Sequence, residues 1–530
     1  MQGRHMLVTA LIIGLYSYLI FLLGILGLLY KNIIIYSSLI YLFAVFGIIL
    51  KFKIFNVSLL KIKLNKLSKF LLSLILFQAI VNLIGAFGPE LSFDALWYHL
   101  TIPKIFLENH KIFHIPGNLL YYSDLPKNIE MFYISALSFS NEIAAKIIHF
   151  GFGLLSVAAL YKLSRKFLNQ EFSLLTCLIF YSNLVVGWQS ITSYVDLGRT
   201  FFEIFALYQF VLWFDKRKFR NLLYAAILIG FSLSTKISAL NSVVLYSLLI
   251  FIINTYSKLN IKETIKNISS FVFFSILISL PYFMFSYVNI GNPIYPIFEN
   301  NFHITPDINP ISLIKLFLFS SDPINPLYLI FLPTIIIFYK RFDMKNKILV
   351  YYSLFSLIFW LLTSSFGGSR FILPYLPVFS ILVAISINNF KDKHLKNYLF
   401  ALIILVSISS IGYRFLANIK YIPVVLGTES KNEFLSKNLN FSFGDFYDTD
   451  GYFEKNIKVS DKVLLYGFHN LYYVDFPYID SSWVKKGDEF NYIAVQNSTL
   501  PERFLDWKEI YYNSKTKVRL YSKEGKKWVY

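Results

Sequence analysis

Residues 70–106 read FLLSLILFQAIVNLIGAFGPELSFDALWYHLTIPKIF, and the stretch divides into two unlike halves. The first eighteen residues, 70–87, carry no Asp, Glu, Lys or Arg. A run of about 20 apolar residues crosses a hydrocarbon core of about 30 Å, where no water can satisfy a stray charge. The second half gathers Glu90, Asp94, Trp97, Tyr98, His99 and Lys104 within nineteen residues, 88–106. The chain therefore leaves a membrane and at once collects the side chains that chemistry needs.

The first half is repeated along the sequence. Of 530 residues, 56% are hydrophobic and 15% charged, with a mean hydropathy of +0.55. A water-soluble globule could not hide that much apolar surface, so the chain is read as a polytopic, all-α membrane protein. Thirteen spans are expected, near residues 7–29, 33–50, 70–87, 143–163, 172–188, 200–214, 221–235, 238–254, 268–288, 326–339, 348–364, 371–388 and 397–415. The first exceeds a signal-peptide core and lacks a small-residue cleavage pattern after it, so it is read as retained. A lone cysteine, Cys177, excludes an intramolecular disulfide.

The net charge of +19 would point a soluble protein toward nucleic acid. Here the cations fall in short clusters between apolar runs, among them Lys51, Lys53, Lys61, Lys63, Lys66 and Lys69, then 165–166, 216–220, 258–266, 340–347 and 391–396. That is a topological signal, not a nucleic-acid face. Those alternate loops are expected in the cytoplasm. The N-terminus is then inside a cytoplasmic (inner) membrane, and the loops 88–142, 189–199, the turn at 236, 289–325, 365–370 and the tail are outside. The chain divides into three parts: two N-terminal spans with a basic loop (1–69), a membrane core (70–416) and an extracytoplasmic tail (417–530). Strand-like runs KVLLYGF, YIAVQN and KVRLYS make the tail a small α/β domain.

The outward loops hold the candidate chemistry. In 88–142 the apolar positions Leu96, Leu100, Ile102, Ile105 and Phe106 recur at helical spacing, which predicts surface helices with Trp97 and Tyr98 at headgroup depth. Asp94, His99 and Lys104 would equally suit the wetted face of such a helix. SYVDLGR at 193–199 adds Asp196 and Arg199, and GFSLSTKISAL at 230–240 adds Lys236, a residue type that also serves as a snorkelling anchor. GNPIYP at 291–296 breaks any helix, and FGGSRFILPYLP puts Arg370 at a span end. Carboxylates (Asp94, Asp124, Glu130, Asp196) and cations (Lys104, Arg199, Lys236, Arg370) thus share one side. A carboxylate can take a proton from an attacking hydroxyl while Lys and Arg hold a phosphate.

In this order the motifs FDALWYH (93–99), DLPKNIEMFY (124–133), YVDLGR, TKISAL, GNPIYP and SRFILPYLP resemble the GT-C membrane glycosyltransferases. The likeness, over residues 70–415, is to the branch similar to protein O-mannosyltransferases and lipid A aminoarabinose transferases. It implies transfer of a sugar from a polyprenyl-phosphate carrier to a hydroxyl on a lipid, glycan or protein; a single displacement with inversion is the expected mechanism, and cationic side chains could serve a monophosphate carrier with no cofactor or metal. The family's outer-loop acid matches Asp94 as base. Relatives often carry a second acid next to it, where this chain has Ala95, so His99, Glu130 and Asp196 are candidate assistants. Lys236 and Arg370, with Lys104 or Arg199, would hold the departing phosphate, and Trp97 and Tyr98 would touch substrate.

Two competing readings are an envelope polysaccharide polymerase or ligase with a lipid-diphosphate donor, and a transporter. A transporter needs polar groups through the midplane of several spans, whereas these spans are nearly uncharged. Asp448-Thr449-Asp450 forms a DxD pattern but sits in a turn-rich part of the tail and is read as a solvated turn. No Walker A or GxGxxG fingerprint occurs.

Overall fold

The computed structural model of the chain describes residues 2–51, 64–299, 311, 319, 323–363, 365–523 and 526–530. Lys53, Lys61 and Lys63, and most of the expected outer loop beyond residue 299, lie outside the described residues.

The chain is a multi-pass helical membrane protein. It opens with α1 (Gln2–Ile25), α2 (Lys31–Lys51) and α3 (Lys66–Ala86). The loop after α3 folds into a π-helical turn, Ala95–His99, then α4 (Thr101–Glu108) and α5 (Glu130–Phe139). The central bundle comprises α6 (Glu142–Ser164), α7 (Gln170–Tyr181), α8 (Leu184–Gln189), α9 (Asp196–Lys216), α10 (Phe219–Thr235), α11 (Leu240–Tyr256) and α12 (Ile261–Ile290). After it come α13 (Leu327–Phe331), α14 (Thr334–Phe338), α15 (Met344–Thr363), α16 (Leu376–Asn389) and α17 (Lys393–Asn418).

Among the described residues, eight helices are long and apolar enough to cross a membrane. The expected thirteen are not confirmed, and the reasons are local. The segment 172–188 breaks at Ser182–Asn183 between α7 and α8. The segment 326–339 breaks at Pro333, which has no N–H to continue the ladder. The segment 371–388 begins as a 3₁₀ stretch, Ser365–Tyr375, and only then becomes α16.

The cation-bearing loops share one end. Lys345 pairs with Asp215 at 3.1 Å and lies 5.5 Å from the Phe167 ring. Arg217 reaches Asn254, and Asn65 reaches Glu171. Asn65, Asn169, Asn260 and Asp392 cap helices there, each accepting a backbone N–H of the first turn. The loops that carry the candidate chemistry meet at the opposite end, beside the tail.

The tail is a mixed five-stranded sheet in the order β2-β1-β4-β6-β5, with β1 (Val463–Tyr466), β2 (Tyr478–Asp480), β4 (Tyr492–Val495), β5 (Lys508–Tyr512) and β6 (Arg519–Ser522). β1 pairs in parallel with β2 and β4, and β6 pairs antiparallel with β4 and β5. A second sheet joins β3 (Glu489–Phe490) to β7 (Trp528–Val529). Alternation of side chains gives the sheet two apolar faces, with Val463, Leu465 and Ala494 on one and Leu464, Ile493 and Val495 on the other. Tyr472 and Tyr473 leave the tail to join the core of the bundle.

Candidate active site

Buried polar groups fix the start of the loop after α3. Glu90, 1% exposed, accepts N–H groups from Leu91 and Ser92 at 3.0 and 2.8 Å with one oxygen and from Ser193 at 2.6 Å with the other. Lys146 of α6 donates to the carbonyls of Gly85, Gly88 and Pro89, at and just beyond the end of α3. His149, also on α6, lies between the Thr192 carbonyl at 2.9 Å and the Leu197 N–H at 3.1 Å. Its Nδ1 therefore carries the proton and its Nε2 accepts. The loops at 88–94 and 189–197 are thereby joined.

The π-helical turn aims the side chains of 94–99. The Tyr98 hydroxyl donates to the Asp94 carboxylate at 3.0 Å, and the Asp94 N–H donates to the Tyr194 hydroxyl at 3.2 Å. Arg370 closes on the same Asp94 oxygen at 2.5 Å. Its guanidinium stands 4.9 Å from the Tyr194 ring and 5.1 Å from that of Phe371. Lys236 lies 4.3 Å from that same Phe371 ring and pairs with Asp196 at 2.7 Å. His99 Nδ1 meets Glu130 at 2.8 Å, both groups buried.

A cavity of about 210 Å³ is lined by Tyr98, His99, Tyr122, Lys127, Glu130, Lys236 and Arg370 among others, while Asp94 and Asp196 stand behind that lining, paired with Arg370 and Lys236. The Tyr98 and Tyr122 rings stack at 3.8 Å, and burial pushes both phenols above their ordinary range, so they remain neutral donors. His99 Nε2, one Glu130 oxygen and one Asp196 oxygen have no hydrogen-bond partner among the described residues. Such orphan polar atoms in a buried wall mark a place built for a polar guest.

The expected residues part company here. Asp94, His99, Glu130, Asp196, Lys236 and Arg370 converge on the cavity or pair with a group that lines it. Tyr98 lines it, while Trp97 stands behind, its indole N–H donating to the Leu119 carbonyl and its ring 4.4 Å from that of His469. Arg199 is fully buried in a network with Glu203 (3.5 Å), Ser238 (2.8 Å) and Tyr375 (2.9 Å). It ties α9 to the segments bearing Lys236 and Arg370, and it does not line the cavity. Lys104 points away altogether, donating to the carbonyls of Tyr472 and Val474 and to Asp475 at 3.0, 2.8 and 2.7 Å. It fastens α4 to the tail and is not among the residues lining the cavity.

The residue that sequence reasoning missed is Lys127. It lines the cavity with 4% exposure, its amine bound to the Leu125 carbonyl at 2.5 Å and 5.7 Å from the Phe285 ring. Burial lowers its ammonium to about 8, against the pull of Asp124 and Glu130. The neighbouring Asn128 N–H donates to the Ser234 carbonyl at 2.9 Å, which brings this segment beside the Lys236 turn. Gly198 permits the approach, since a Cβ there would fall 2.6 Å from the Ile129 side chain. The signal lies in the segment DLPKNIEMFY, where this lysine stands between the two candidate acids.

Asp124, the first of those acids, is buried against His114 and Ser123 at 2.8 and 2.7 Å. In the DxD pattern both Asp450 oxygens accept from the Tyr511 hydroxyl, and Asp448 accepts from the Glu454 N–H. Asp448 thus serves the local turn and Asp450 ties that turn to β5.

Residues 131–283 match a family model described as dolichyl-phosphate-mannose-protein mannosyltransferase. That span includes Asp196 and Lys236 and leaves out Asp94, Lys127 and Arg370. No curated protein sequence matches the chain. Among solved structures it is similar to ArnT from Cupriavidus metallidurans in the apo state, with a TM-score of 0.58 and 12% identity over 86% of this chain and 98% of ArnT. ArnT bound to undecaprenyl phosphate aligns over the same shares with a TM-score of 0.53 and 12% identity. The archaeal oligosaccharyltransferase AglB from Archaeoglobus fulgidus, in complex with an inhibitory peptide and a dolichol-phosphate, aligns with a TM-score of 0.50 and 11% identity over 80% of this chain and 69% of its own. The chain has the ArnT-like GT-C fold and resembles the membrane glycosyltransferases that carry it.

Proposed function

We propose that the chain is an inverting glycosyltransferase that moves a sugar from a polyprenyl-phosphate carrier to a hydroxyl acceptor at the outer face of the cytoplasmic membrane. The single observation that carries this reading is the Asp94–Arg370 pair, 2.5 Å apart, at a cavity that Lys127 and Lys236 also line. The ArnT-like fold, seen elsewhere with undecaprenyl phosphate bound, supports the choice of carrier.

The paired charges give the reaction an order. At rest Arg370 is held by Asp94 and Lys236 by Asp196, so cations sit in a low-dielectric wall without an uncompensated charge. An entering monophosphate competes with both carboxylates for these cations. As Arg370 turns to the phosphate, the Asp94 carboxylate oxygen it held is released to accept a proton. The acceptor hydroxyl then attacks the anomeric carbon from the face opposite the phosphate and gives its proton to Asp94. A C–O bond forms to the acceptor while the C–O bond to phosphate breaks, and the departing phosphate keeps the electron pair. Arg370, Lys236 and Lys127 stabilise its growing charge. Glu130, against Nδ1 of His99, fixes that ring with Nε2 left for a sugar or acceptor hydroxyl.

The orientation belongs to the same reading. Carrier-linked sugar is available at the outer leaflet, and the positive-inside pattern puts the cation-rich end in the cytoplasm. The test is transfer by purified protein in liposomes, with polyprenyl-monophosphate sugars found by mass spectrometry of envelope lipids, glycans and proteins with and without the chain. Competition by polyprenyl monophosphate but not diphosphate is expected. The reverse order would replace this reading with the polymerase or ligase. Sugar movement across the bilayer without any product would replace it with a transporter.

A further inference from the structure

A second concavity, about 570 Å³, lies between α4 and the tail, and neither the cavity chemistry nor the tail's own core accounts for it. Its volume falls within the roughly 300–1,000 Å³ of ligand clefts. Aromatic rings from both parts line it: Phe113 from the loop after α4, and Phe476, Tyr478 and Trp483 from the tail. Its polar lining includes two carboxylates, Glu108 and Asp475, beside the Asn109 amide. Glu108 accepts no hydrogen bond from the described residues, and the Asp475 side chain is 78% exposed. The one cation among the described lining residues, Lys104, is already committed to three oxygens.

This lining rules by chemistry. A phosphate or an acidic glycan would meet two carboxylates and no free cation among the described lining residues. An acyl chain would cover Glu108 and the free oxygen of Asp475 without offering either a donor, at a cost of several kcal/mol. A peptide strand adding to the edge strand β2 would find Pro477, which has no N–H, at its start. It would also meet the 116–118 loop packed on Ser482, where a Cβ at Gly117 would stand 2.1 Å from the Ser482 carbonyl oxygen. A sugar ring suits what is left. Its C–H faces lie on aromatic rings, and its hydroxyls donate to carboxylates that can only accept.

Position adds to chemistry. Ile102 of α4 lines the cavity, while Ile105 and Glu108 of the same helix line this groove. Three residues of helix rise about 4.5 Å, so one helical turn separates the two. We propose that the groove binds an uncharged saccharide belonging to the acceptor, which places the acceptor class as a glycan or glycolipid. This rests on the glycosyltransferase reading of the cavity.

The test uses the intact protein in nanodiscs against printed panels of neutral, acidic and aminated oligosaccharides, with synthetic peptides in parallel. Neutral oligosaccharides are expected to be captured by the wild type and by Asp94→Asn, with at least a tenfold loss in Trp483→Ala and in Glu108→Gln. The second variant sits on the exposed end of α4 and keeps the inference testable should the first misfold. Capture confined to acidic glycans or peptides, absence of neutral capture, or neutral capture indifferent to both substitutions overturns it. Groove-dependent capture by a protein that transfers no sugar would retain the groove and remove the transferase reading. Transfer without neutral capture would do the opposite.

Discussion

Lys104 and Lys127 belong to the same loop, carry the same ammonium and lie on the same end of the bundle, yet they serve opposite purposes. Lys104 commits its three N–H donors to two carbonyls and Asp475, joining α4 to the tail. Lys127 gives its amine to one carbonyl and otherwise faces a cavity whose other polar groups, His99 and Glu130 among them, have unused hydrogen-bonding atoms. A saturated cation is a fastener, and an unsaturated one is available to a ligand. The same contrast separates the ion pairs at the cavity, Asp94–Arg370 and Lys236–Asp196, from those at the tail junction, Lys104–Asp475 and Lys431–Glu142.

The contrast breaks most easily at Asp94. Asp94→Asn is expected to lower the rate of transfer by about 10² to 10⁴ while carrier binding, monitored by fluorescence of a labelled polyprenyl phosphate, persists. Full transfer by a folded Asp94→Asn protein would demote the cavity pairs to the status of the junction pairs.

Lys127→Met comes next. Loss of a charged hydrogen bond of about 1.5–3 kcal/mol corresponds to a weakening of carrier binding by about 10- to 100-fold. The sign of the pH effect is fixed by burial, which holds this ammonium near 8, below its ordinary range. Protonated Lys127 is the form that attracts phosphate, so carrier affinity should fall as pH rises through about 8 in the wild type. Lys127→Arg should remain charged and flatten that dependence; an unchanged slope would remove Lys127 from the site.

At the junction, Lys104→Ala should cost about 1–3 kcal/mol, because two buried carbonyls lose their donor. The expected readout is faster proteolysis between bundle and tail, with carrier affinity unaltered. A Lys104→Ala protein with its tail still docked but unable to bind carrier would reverse the assignments of the two lysines. The smallest effect belongs to Lys431→Ala. Its side chain is 46% exposed, and the buried Glu142 carboxylate keeps the Tyr472 and Tyr473 hydroxyls as donors, so the loss should be about 1 kcal/mol and screened by salt. A thermal shift measured at low and high ionic strength should be small and vanish with salt.

Much of this contrast could not be read in one dimension. The helical class, the separate tail and the gathering of ionisable groups at one end all come from hydropathy and from cation placement, because lipid forbids unpaired polar backbone and scattered charge. The number of spans did not, since Ser182–Asn183 and Pro333 interrupt apolar runs that composition alone reads as continuous. Lys236 and Arg370 were legible as candidates because each stands at the mouth of a span amid few other charges, and Asp94 because it stands where ionisable residues gather directly after a span. The place of Lys104 away from the cavity was not legible, because helical spacing says which face a residue occupies and not what covers that face. Its partners at 472–475 lie more than 360 residues away. Lys127 escaped for the converse reason, because nothing local shows that Asn128 is tied to Ser234.

By itself the sequence determined a membrane-embedded helical chain with its reactive residue types at one end, since the cost of charge in hydrocarbon acts locally, residue by residue. The tertiary structure alone decided which of those residues meet. A hydrogen bond acts over about 3 Å, and only folding brings Asp94 to Arg370, Lys236 to Asp196, and Lys104 to a tail that removes it from the cavity.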